Sequence, residues 1–67
     1  MISIVLNNKL QDIPKNQNIN QLIDLFQLQT QYTAILINNS FIPKSQYEST
    51  IINENDKINQ VTPMQGG

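Results

Sequence analysis

The sequence predicts a two-layer α+β domain, with one helix packed on one face of a mixed sheet of four to five strands. Three observations lead there. Apolar residues alternate at period two near the N-terminus (Ile2, Ile4, Leu6). They change to helical spacing at Ile19, Leu22, Ile23 and Phe26. Short β-branched runs then recur through the second half of the chain, separated by turns rich in Asn and Pro. At 67 residues the chain is one small domain. A domain of this size buries only about 60% of its unfolded surface, so its stability is expected to be modest.

Residues 1–13 read as a hairpin. Val5 falls on the face opposite Ile2, Ile4 and Leu6, which suits a strand buried on one side and partly covered on the other. Asn7 and Asn8 form the turn, because asparagine tolerates positive φ. Leu10 and Ile13 belong to the return strand, which Pro14 ends. Residues 18–28 read as the helix. Asn18 is a good N-cap and Gln21, three residues later, can complete a capping box. Leu25 and Leu28 are expected to widen the apolar stripe, which is read as core. The run Ala34, Ile35, Leu36, Ile37 is a central strand. Asn38, Asn39 and Ser40 turn the chain into a brief extended segment, Phe41 and Ile42, stopped by Pro43. Tyr47 is expected to anchor the polar loop 44–50 by its ring. Ile51 and Ile52 read as a short strand, 53–56 as a turn and 58–62 as the last strand, with Ile58 and Val61 on opposite faces. The first and last strands are expected to pair in parallel at the sheet centre, which places the C-terminus at the end of an inner strand. The domain is thus residues 1–62, followed by a flexible tail, 63–67.

Composition excludes several classes of function. Four Lys, no Arg and five acidic residues give a net charge of −1, so no basic excess exists to neutralise nucleic-acid phosphates. The absence of Cys and His removes disulfides, thiol nucleophiles, imidazole bases and zinc sites together. No apolar run reaches the length of a membrane span, and the N-terminus lacks the pattern of a signal peptide. Ile (11), Asn (10), Gln (9) and Lys (4) supply half the chain, and Ile, Asn and Lys have A/T-rich codons. An A/T-rich genome is expected, that of an organelle or a low-GC bacterium.

The chemistry is concentrated in the tail Pro63, Met64, Gln65, Gly66, Gly67, which holds the two glycines of the sequence. One reading is a frayed end or an expression scar. The functional reading starts from sterics. A Gly-Gly end can enter a narrow active-site channel and leaves the terminal carboxylate open to attack. Fully extended, five residues reach about 16 Å. Such a carboxylate becomes an acylating group once it attacks the α-phosphate of ATP to form an acyl-adenylate. A persulfide can displace AMP and leave a thiocarboxylate, an anionic sulfur nucleophile near neutral pH. The chain has no P-loop, His or Cys to catalyse those steps, so it would be the substrate and its partners the enzymes.

With these features in place, the sequence resembles the small sulfur carriers of thiamine biosynthesis, the ThiS family of ubiquitin-like β-grasp proteins. The resemblance spans nearly the whole chain. It covers Ile4-Val5-Leu6-Asn7, the helix start Ile19…Leu22 and the strand Ala34-Ile35-Leu36-Ile37-Asn38. It continues through Ile42-Pro43-Lys44, Glu54-Asn55-Asp56 with Ile58, and Gly66-Gly67. Asn8 and Asn55 stand where the family usually has turn glycines, and asparagine is the next-best residue there. The resemblance implies a carrier, not an enzyme. A ubiquitin-activating-enzyme-like adenylyltransferase would consume ATP to adenylate Gly67, and a cysteine desulfurase relay would supply the sulfur. Thiazole synthase would accept it from the Gly67 thiocarboxylate. The resemblance implies no stably bound cofactor and a place in a bacterial cytoplasm or a plastid stroma, while charge and hydropathy argue against nucleic acid and membrane as partners.

Alternative readings share the tail. The sulfur carrier of molybdopterin synthesis has the same fold, in a usually longer chain. A ubiquitin-like modifier would use the activated glycine to form isopeptide bonds, and an interaction module would carry the Gly-Gly end incidentally. Lys44, often basic in the resembled family, is a candidate contact for an acidic partner surface or simply a solvated lysine. Pro63, Met64, Gln65 and Gly66 are candidates for a partner's channel, with Met64 suited to an apolar pocket. The carboxylates Asp12, Asp24, Glu48, Glu54 and Asp56 are too scattered for the six or so oxygens a hard cation needs. Asp56 reads instead as a turn residue that accepts hydrogen bonds from nearby backbone N–H groups.

Overall fold

The computed structural model describes residues 1–62. The chain forms β1 (Ile2–Leu6), β2 (Lys9–Ile13), α1 (Ile19–Phe26), β3 (Ala34–Ile37), β4 (Ser40–Ile42), a 3-10 turn (Lys44–Gln46) and β5 (Lys57–Val61). The sheet order is β2-β1-β5-β3-β4. β1 and β5 run parallel, Val5 beside Lys57 and Leu6 beside Ile58, and the other neighbours are antiparallel. The parallel pairing expected of the first and last strands is therefore present, with β5 in the middle of the sheet. This is the mixed-sheet β-grasp arrangement.

Alternation decides which face meets the helix. Ile2, Ile4 and Leu6 of β1, Ile13 of β2, Ile35 and Ile37 of β3 and Ile58 of β5 are buried. Ile19 and Leu22 of α1 pack onto them, with Tyr47 and Ile52 closing the side of the core and Ile23, Phe26, Leu28 and Ile42 half-buried around it. The helix begins as its sequence specifies. Asn18 Oδ1 accepts from Gln21 N–H at 2.8 Å and Gln21 Oε1 accepts from Asn18 N–H at 2.8 Å, a complete capping box.

Four expectations are corrected in detail. The helix stops at Phe26 rather than residue 28, because Gln27 turns left-handed (φ 53, ψ 48) and Leu28 N–H reaches back to Ile23 O at 3.0 Å. Neither glycine nor asparagine marks that position, so the stop carried no sequence signal. Leu25 does not widen the buried stripe but is exposed. It lies about 100° round the helix from Phe26, on the side away from Ile23. Ile51 and Ile52 do not form a strand. Ile51 makes one antiparallel bridge to Asn18, and Ile52 N–H donates to Gln17 O at 2.8 Å while its side chain enters the core. The segment thus braces the helix start and stays out of the sheet. The last strand spans 57–61, one residue earlier than expected.

Six asparagines and one glutamine have positive φ: Asn7, Asn8, Asn16, Gln27, Asn38, Asn39 and Asn55. Asn7-Asn8 and Asn38-Asn39 are both two-residue hairpin turns with positive φ at each position, as type I′ geometry requires. No helix among the described residues is long and apolar enough to cross a membrane.

Candidate functional site

The residues named for sulfur chemistry, Pro63, Met64, Gln65, Gly66 and Gly67, lie outside the described residues. The structure shows the platform they leave from. β5 is paired on both sides only at its start, because its register with β1 ends at Leu6 and Ile58. From Asn59 to Val61 the strand has β3 alone as a neighbour. Two side chains hold the unpaired side. Asn7 Oδ1 accepts the Gln60 backbone N–H at 2.7 Å. The Gln60 carboxamide donates to Gln29 O and, at 3.1 Å, to Thr33 Oγ1, while Thr33 Oγ1 donates to Gln29 O at 2.9 Å. The loop after the helix is thereby tied to the end of β5. Leu28, Tyr32, Thr33, Gln60 and Thr62 line an open groove between loop and strand, so the last described residue sits at its wall.

The sheet face opposite α1 carries a second feature. Val5 pairs with Leu10, Leu36 with Phe41, and Ala34 with Val61, all on the uncovered side. Leu10 is 74% exposed and Phe41 62%, with Val61 also exposed and Val5 and Leu36 half-buried. No other described element covers this face. Exposed apolar side chains gathered on one surface mark interaction sites more often than scattered ones do. Only Val5 and Val61 were anticipated on this face from the alternation. Leu10, Leu36 and Phe41 share the outward parity, but until strand register is known that parity does not bring them together.

Lys44 opens the 3-10 turn and is exposed. It borders a different depression, formed with Asn20, Ile23, Asp24, Thr30 and Tyr47, which shares no residue with the groove at Thr62. Tyr47 is buried as expected, and burial pushes its phenol above the ordinary value, with a backbone hydrogen bond at Ile35 pulling the other way. Asp56 is the turn residue anticipated. Its Oδ2 accepts Asn53 N–H at 2.8 Å and its Oδ1 accepts from Asn38 Nδ2 at 3.1 Å. Among the described residues no cluster of three or more carboxylates could hold a metal ion.

The site is therefore a central strand with a clasped end, a groove beside that end and an apolar sheet face. Comparison with known proteins agrees with this architecture. The model of the ThiS family matches residues 4–67. The crystal structure of a thiamine biosynthesis protein (ThiS) from Geobacter metallireducens superposes with a TM-score of 0.88 over 98% of this chain and 100% of that one, at 17% sequence identity. That likeness speaks for the fold. No curated protein sequence matches the chain.

Proposed function

The chain belongs to the ThiS family, and from that membership we propose that it is a sulfur carrier of thiamine biosynthesis whose reactive group is the α-carboxylate of Gly67. The observation that carries this reading is that the family match runs through residue 67 and so includes Gly66 and Gly67. A carboxylate oxygen of Gly67 attacks the α-phosphorus of ATP in a ubiquitin-activating-enzyme-like adenylyltransferase, and pyrophosphate leaves. A persulfide fed by a cysteine desulfurase attacks the acyl carbon and displaces AMP, giving an acyl disulfide. A thiol then cleaves its S–S bond to release the thiocarboxylate. Thiazole synthase takes the sulfur from that thiocarboxylate. Pro63, Met64, Gln65 and Gly66 thread the partner's channel, and the apolar face around Leu10, Leu36 and Phe41 docks on the partner's body. Lys44 is a further contact for an acidic partner surface.

The test uses the absence of cysteine. The full chain is incubated with an adenylyltransferase, ATP and a persulfide source, then treated with a thiol-selective alkylating probe, which has no thiol side chain to label. Label mapping to Gly67, absent when Gly67 is deleted, supports the carrier. An adenylate without label favours a protein modifier, and transfer of sulfur to molybdopterin rather than thiazole favours the related carrier. Wild-type labelling in the Gly67 deletion refutes the assignment. Intact mass alone does not decide, because oxidation of Met1 or Met64 adds nearly the same mass as exchange of oxygen for sulfur.

A further inference from the structure

The two hairpin turns begin with asparagines whose side chains do something glycine cannot. Asn7 (φ 50) and Asn38 (φ 52) are each followed by a second left-handed asparagine. Glycine would meet that backbone demand at least as well. Asn38 donates its backbone N–H to Lys57 O at 2.7 Å, and its Oδ1 accepts Lys57 N–H at 3.0 Å. Asn7 donates its backbone N–H to Ile58 O at 2.9 Å, and its Oδ1 accepts Gln60 N–H at 2.7 Å. Each asparagine thus supplies a donor and an acceptor to β5, as a strand residue would, from a position where its own strand has already turned away. Asn38 acts at the start of β5 from the β3 side. Asn7 acts near its end from the β1 side.

We propose that Asn7 is a positioning residue for the reaction of the C-terminal carboxylate. Its carboxamide replaces the ladder rung that β1 stops short of providing, and with the Gln60 side chain it holds the end of β5, so that the chain leaves the domain from one fixed point at Thr62. This role rests on the sulfur-carrier reading. Termini fray by default. Each backbone residue freed ahead of the tail adds conformational states that must be lost when the carboxylate meets ATP, which lowers the effective concentration of the reacting group. Docking through the sheet face is unaffected by that freedom. Loss of the clasp therefore falls on kcat and not on KM.

The variants are Asn7→Gly, which keeps positive φ and removes the acceptor, Asn7→Asp, which restores an oxygen, and Asn8→Gly as the control in the same turn. Hydrogen exchange of the Gln60 amide is measured by NMR on the full chain, with Ile4 and Ile35 as core references. Adenylation by a ubiquitin-activating-enzyme-like adenylyltransferase is measured with ATP, varying the carrier concentration. In Asn7→Gly, Gln60 exchange taken relative to the core amides speeds up and kcat falls, each about tenfold, with KM unchanged. Asn7→Asp recovers both, and Asn8→Gly matches wild type. Unchanged Gln60 exchange, or wild-type kcat with only KM raised as for a partly unfolded carrier, overturns the proposal. If the wild-type chain accepts no AMP, the sulfur-carrier reading and the positioning role fall together, while the exchange data still report whether the rung exists.

Discussion

Exchange of Asn38 for glycine separates the two reasons an asparagine can stand in a tight turn. One is backbone tolerance of positive φ, which Asn38 (φ 52) and its neighbour Asn39 (φ 71) both need. The other is side-chain bonding, which only Asn38 shows. Its Oδ1 accepts Lys57 N–H at 3.0 Å and its Nδ2 donates to Asp56 Oδ1 at 3.1 Å, whereas the Asn39 side chain makes no hydrogen bond among the described residues. Each of these bonds is solvent-accessible, so about 0.5–1 kcal/mol apiece is appropriate. Both glycine variants carry the same added unfolded-state entropy, about 0.5 kcal/mol, partly offset by relief of the left-handed strain. Asn38→Gly is then expected to destabilise by about 2 kcal/mol and Asn39→Gly by less than about 0.5 kcal/mol. For a domain this small the difference corresponds to about 6–12 °C in Tm. Thermal and urea melts followed by circular dichroism measure it. Equal stability of the two variants refutes the clasp argument, since it leaves backbone conformation as the sole role of Asn38.

Two further outcomes follow from burial. Folding holds the Tyr47 phenol above its ordinary value of 10.0, chiefly because the ring is buried. Above about pH 10 the unfolded chain therefore binds fewer protons than the folded one, and stability falls as pH rises from there. Urea midpoints measured from pH 9 to 11 should show this decline, and Tyr47→Phe should lessen it. On the uncovered face, Leu10→Ser and Phe41→Ser are expected to shift stability by no more than about 0.5 kcal/mol while weakening adenylyltransferase binding about tenfold. Calorimetric binding at wild-type affinity in both variants removes this face from the docking surface.

Much of the fold was legible because its signals are local. Ile2, Ile4 and Leu6 announce their strand by parity, and Asn18 with Gln21 announces the helix start by spacing. Asn7, Asn8, Asn38 and Asn39 announce the turns by their tolerance of positive φ. Signals were missing where tertiary contacts override propensity. Gln27 takes a left-handed conformation usually left to glycine or asparagine, and the stop it makes lets Leu28 pack on the core. Ile51 and Ile52 have the composition of a strand, yet the core takes Ile52 and the helix start takes the backbone. The reactive end named from the sequence lies beyond the described residues, so the structure bears on its support and not on its chemistry.

Sequence alone narrowed the chemistry that is proposed for this chain. A chain without His, Cys or a phosphate loop lacks the usual means of activating its own carboxylate, and a Gly-Gly segment is suited to being activated by another protein. It also determined the alternation that commits one sheet face to the helix, since a one-residue shift of register in a strand would turn that strand's buried side chains outward. Tertiary structure alone decided what happens at the end of β5. The Asn7 carboxamide meets the Gln60 N–H across 53 positions of sequence, and the Gln60 side chain meets Gln29 and Thr33 across about half that span. Leu10 and Phe41, at opposite edges of the sheet, share an outer face only because β1, β5 and β3 lie side by side between them. Hydrophobic periodicity reports on which way a side chain points from its own element. Which elements become neighbours depends on closing the whole sheet around one core, and no local window of sequence contains that condition.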